Sequence, residues 1–231
     1  MAVTHDAASN PAKATSATSL TFAHTCSGTE RVLVVGSSVD DLVPADTTAT
    51  YAGVSMTGIG ALTNNFDRSE LFGLIAPATG ANNVVITAAA TQGSIAGGAE
   101  SVNGADQTTG WGTAATAEAD NSTAPTVTVT SATGELVVDN VAGGDLISQQ
   151  TATAGAGQTE RWDSTGVDSN GFAIGSTEAG AASVVMSWTL NNAIDWASVG
   201  VSIKAAAAAA ADTLFAQGAI WMRRLRLLGV P

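Results

Sequence analysis

Thr126-Val127-Thr128-Val129-Thr130 alternates polar and apolar side chains without a break, and a two-residue period marks a strand with one face buried and one in water. The same period recurs on either side of it. Upstream, Leu20, Phe22 and His24 fall on one face of a segment whose other face is Thr21, Ala23 and Thr25. Downstream, Val184, Met186, Trp188 and Leu190 line one face, Ala197, Val199, Val201 and Ile203 line another, and residues 191–195 form the turn between them. Residues 31–35 and 70–75 are apolar on both faces, as central strands are, and residues 84–87 and 135–138 supply two more strands. Ser27-Gly28, Asn64-Asn65, Thr133-Gly134 and Asn170-Gly171 provide turns that tolerate positive φ. About ten strands at this spacing predict an all-β chain, an antiparallel β-sandwich of jelly-roll type. Two stretches rich in small residues, 93–120 with Trp111 at its centre and 148–157, read as long loops, although residues 99–103 permit a short strand.

The chain of 231 residues carries a formal charge of −12, unevenly distributed. Residues 1–204 hold five of the eight basic groups and nineteen of the twenty carboxylates, a formal −14, and residues 205–231 hold +2. So acidic a body disfavours binding to nucleic acid, whose affinity comes from neutralising phosphates with Lys and Arg. Cys26 is the single cysteine, so no internal disulfide forms and the thiol reads as a small buried hydrophobe. The first residues lack the basic and apolar segments of a secretory signal. Cytoplasmic synthesis followed by release on lysis, ending at a virion surface, is the expected route.

At Lys204 the pattern changes. Seven alanines at 205–211 lead into a segment containing Leu214, Phe215, Ile220, Trp221, Met222, Arg223, Arg224, Leu225, Arg226 and Leu227. Large apolar side chains seek burial, so this reads as a helical or extended tail that docks on a partner, its arginines facing carboxylates. A simple linker whose last residues pack on their own sandwich is the plainer alternative. Alanine is too weakly hydrophobic, and Asp212 too central, for a membrane span. The expected organisation is a sandwich domain at 1–204 and a docking tail at 205–231.

No catalytic set emerges. His5, His24 and Cys26 could contribute metal ligands but fall short of the four that a structural zinc site takes. Asp163, Asp168 and Asn170 group oxygen ligands in a glycine-containing loop without EF-hand spacing, so a solvated turn competes with calcium binding. Trp111 and Trp162 fall in apparent loops, where an aromatic face stacks on a sugar, whereas Trp188 and Trp196 lie on strands and fill the core. No cofactor is implied.

Residues 4–9, 19–25, 27–36, 50–57, 70–74 and 196–204 together resemble a jelly-roll-like β-sandwich domain of phage virion and bacterial surface proteins. The resemblance rests on packing residues and spans nearly the whole body, leaving the tail outside. It implies a strand beginning at Thr4 and a non-enzymatic module in decoration, fibre or adhesin contexts, with no catalytic position carried over. The expected function is a capsid decoration or fibre subunit, homo-oligomeric as a trimer, bound to capsid or other virion proteins. The alternatives are a carbohydrate- or receptor-binding module and a self-assembling filament or surface-layer subunit.

Overall fold

A computed structural model describes residues 1–144, 149–167 and 170–207, and every regular element among them is a β-strand. The first sheet contains β1 (Thr4–Cys26), β2 (Val32–Asp40), β3 (Thr47–Tyr51), β4 (Val54–Ser55), β5 (Thr57–Asn64), β6 (Asp67–Ile75) and β7 (Gly80–Asn103). β1 runs antiparallel along one edge of β7, while β3 takes the other edge at Val84–Ala88 and β2 takes it at Ser94–Val102. Three register irregularities in β1, at His5/Ala7, Ser9/Ala12 and Ala17/Ser19, bend this long pair. The sheet thereby curls around its own interior, where Leu20, Tyr51, Val84 and Ile86 meet Leu33, Val35, Phe72 and Ile95. Cys26 is buried in this core as a free thiol.

The second sheet comprises β8 (Ala115–Ser122), β10 (Leu136–Gly143), β12 (Thr159–Asp163), β13 (Phe172–Ala179) and β15 (Ile194–Ile203), in the order β12-β13-β10-β15-β8. A third holds β9 (Thr126–Thr130), β11 (Ala152–Ala154) and β14 (Ser183–Leu190), in the order β11-β14-β9. All these pairings are antiparallel. The second sheet lies between the other two. Val138, Trp162, Val199, Val201 and Ile203 meet Val32, Val34, Leu71 and Val102 of the first sheet. On its opposite side Val141, Ile174 and Trp196 meet Trp188 and Leu190, and Val137 meets Val127, Val129 and Met186.

The expected antiparallel sandwich is present, with a third sheet on its far side. That sheet explains why position 200 of β15 is glycine: a methyl at Gly200 would stand 2.6 Å from a Val129 methyl. It also changes the meaning of residues 191–195, which carry the chain from the third sheet to the second instead of closing a hairpin. The stretch 93–120 is not one loop. β7 continues to Asn103 because Gly97 and Gly98 pack closely under neighbouring strands, and β8 begins at Ala115. Within 148–157, the short β11 pairs with β14.

Trp162 also departs from expectation. It lies on β12, 1% exposed, between the first and second sheets. Its ring fills space that three glycines leave open: a methyl at Gly36 would stand 2.7 Å from its ring, and Gly98 and Gly175 press against it as well. Gly175→Ala would drive a methyl into that ring, and a cost of about 1–3 kcal/mol is expected in denaturant titration. A cost indistinguishable from zero would show that the packing around Trp162 is loose.

Candidate functional site

β2, β10 and β15 all have one end in the same place, where Asp40 and Gly143 are last residues and Ile194 is first. There the described residues enclose a cleft of about 700 Å³, lined by Asp40, Asp41, Asp67, Gly144 and Asp195 among others. Asp40 and Asp67 stand opposite one another in the β2–β6 register, an arrangement that is unfavourable for two charges.

Backbone donors hold most of these carboxylates in place. Asp40 Oδ2 accepts from the Gly171 N–H at 2.7 Å, and Asp41 Oδ2 from the Gly93 N–H at 2.7 Å. Asp195 accepts from the Asn121 N–H at 2.9 Å and from Asn65 Nδ2 at 2.8 Å. Asn65 Nδ2 also reaches Asp120 at 3.2 Å, joining a second acid to the margin. Lys13 donates to the Asn170 carbonyl at 3.2 Å nearby. Asp67 is different. It is 3% exposed, and among the described residues its Oδ1 has no hydrogen-bond partner. Burial first, then the charges of Asp40 and Asp195, push its carboxyl up to about 9, against a favourable Gly144 N–H. Burial also raises Asp40, opposed by the Gly171 N–H and by Lys13.

The rim is apolar. Leu42 and Phe66, both lining the cleft, are 80% and 52% exposed, and the adjoining Val43 is 77% exposed. Exposed apolar side chains beside concentrated negative charge suit a partner that is both cationic and apolar. Among the described residues, no three His, Cys, Asp or Glu side chains are placed to hold a metal ion.

The residues singled out from sequence are dispersed. Trp162 offers no open face to a sugar, and its Nε1 donates to Asn140 Oδ1 at 3.2 Å. Trp111 is half-buried, bridges to Ile203 and lays its ring over Gly73. Trp188 and Trp196 are core residues, and the Trp188 Nε1 donates to the buried Asp139 at 2.7 Å. His5 contacts Glu100 at 2.7 Å, and His24 contacts Ser9 at 2.7 Å with its imidazole pulled down to about 4 by burial. Asp163 accepts from the Thr165 N–H at 2.7 Å as a turn residue, while Asp168 lies outside the described residues. So do Leu214, Phe215, Ile220, Trp221, Met222, Arg223, Arg224, Leu225, Arg226 and Leu227.

The cleft itself was not legible beforehand, because its acids come from β2, β6 and the start of β15, far apart in the chain. The local signal was Asp40-Asp41-Leu42-Val43, two acids followed by two large apolar residues just beyond a buried strand. No known protein family matches this chain, and comparison with characterised proteins finds no significant relative.

Proposed function

We propose that this chain is a non-enzymatic structural subunit of a virion surface, a capsid decoration or fibre protein held to its neighbours by residues 205–231. Its partners are other copies, in a trimer or larger set, and capsid or other virion proteins. One observation carries the reading: a stacked β-body, its first two sheets joined by buried hydrogen bonds, is followed by an apolar, arginine-containing segment of opposite charge. Asn140 exemplifies the first part, donating to the Ser37 carbonyl at 3.0 Å and to Ser69 Oγ at 2.9 Å across two sheets. The first two alanines after Lys204 touch the body. Ala205 bridges to Ala105, the Ala206 N–H donates to the Gly104 carbonyl at 2.8 Å, and the Met1 ammonium donates to the Ala206 carbonyl at 3.1 Å.

The carbohydrate-binding alternative retains only Trp111, and no observation favours it over packing. The structural reading is tested by antibodies against the body, which should label the outside of particles released by lysis. Particles stripped of the protein should take up the full chain and refuse a chain ending at Ala207. Labelling confined to the cell envelope, or equal uptake of both chains, overturns it. Limited proteolysis is expected to leave one fragment extending from near the amino terminus to about Ala207. Recovery of two stable halves would contradict a single cooperative body.

A further inference from the structure

The cleft and the point where the described chain ends lie at opposite ends of the body. β15 starts at the cleft with Ile194 and runs to Ile203, after which Ala205 and Ala206 are fixed beside Gly104 and Ala105. A strand of that length spans about 30 Å. The cleft is acidic with an apolar rim, whereas residues 212–231 combine three arginines with Trp221, Met222 and Leu225 and a single acid, Asp212. Resting on the structural reading above, we infer that the tail of one chain docks in the cleft of a second copy, joining chains head to tail.

The cleft is built to receive a guanidinium. Gly144 has no side chain where one would obstruct the approach: a methyl there would stand 2.7 Å from Asp40 Oδ2 and 3.2 Å from Asp67 Oδ1. Among the described residues Asp67 Oδ1 is buried without a hydrogen-bond partner, and Asp40, Asp41 and Asp195 beside it supply the carboxylates that a guanidinium would meet. A guanidinium presents its donors as a planar fork suited to carboxylates, which a lysine does not. The exposed side chains of Leu42 and Phe66 then cover the apolar residues flanking the arginines. Such a contact is heterologous, with two different surfaces meeting. It closes into a ring, a trimer among them, when the rotation between copies permits, and otherwise grows as a filament. Docking in the same chain would use about nine extended residues to cross the body, and it would leave the unaltered chain monomeric in the test below.

Two full-length variants test this. Leu42→Lys/Phe66→Lys places positive charge on the rim at exposed positions, and Arg223→Glu/Arg224→Glu/Arg226→Glu reverses the tail; unchanged melting temperatures confirm that both fold. In sedimentation, the unaltered chain is expected to exceed its 22.8 kDa monomer mass, as a closed ring or as a series growing with concentration. Each variant alone should be monomeric, associating at least about tenfold more weakly. Mixed in equal amounts, they should form a species of twice the monomer mass and nothing larger, because one intact cleft meets one intact tail. An unaltered chain that stays monomeric, a rim variant that assembles normally, or a mixture that stays monomeric overturns the inference. If stripped particles still require residues 208–231 for uptake, any of those results removes the head-to-tail contact and leaves the structural reading intact.

Discussion

Replacing Trp162 with alanine is expected to cost about 3–5 kcal/mol, the usual range for deleting a buried aromatic ring. Net stability of a folded domain is about 5–15 kcal/mol, so this one change would bring the chain close to unfolding. Two effects add. Gly36, Gly98 and Gly175 have no side chains with which to fill the vacated space, and Asn140 Oδ1 loses the Trp162 N–H. Trp162→Phe separates them, since it retains most of the volume and removes only the donor, for an expected loss of about 1–3 kcal/mol. Denaturant titration of the three proteins measures both. A glycan-contacting tryptophan would behave differently, so a loss below about 1 kcal/mol for Trp162→Ala would contradict its core role.

Asp67→Asn is expected to stabilise the protein at neutral pH and to flatten its pH dependence. The Asp67 carboxyl is raised in the folded state to about 9 from an ordinary value of 3.8. Its contribution is therefore fully present below pH 3.8 and is lost as pH rises toward 9, at about 1.4 kcal/mol per unit while only the unfolded form is ionised. Asparagine has no proton to lose. At pH 7 the variant should be more stable by a few kcal/mol, with the gap shrinking toward pH 4. Asp40 and Asp195 face the same group, so Asp195→Asn should move wild-type behaviour part of the way. Equal stability of Asp67→Asn and wild type at pH 5 and pH 8 would show that Asp67 is ionised and well solvated.

What the sequence made legible was whatever local alternation encodes. Thr126–Thr130 is β9, with Val127 and Val129 buried and the threonines outward, because its outer face meets solvent. Val32–Val35 is buried on both faces between β6 and β7, as its continuous apolar run implied. Trp162 reads as a loop residue because Glu160, Arg161 and Asp163 surround it in sequence, while the glycines that receive it come from β2, β7 and β13. Residues 93–98 resembled a loop for the complementary reason: they are small because other parts of the chain press on them. The cleft depends on register, which sets Asp40 opposite Asp67 and has no local signature.

Head-to-tail joining is tested most directly by cross-linking. A photoreactive side chain placed at Phe66, 52% exposed on the cleft rim, would be activated in a mixture of light and heavy isotope-labelled full-length chains. The cross-linked peptides are expected to fall within residues 208–231 and to join light to heavy chains as often as light to light. Cross-links confined to one chain, or reaching another copy only outside residues 208–231, would contradict the account.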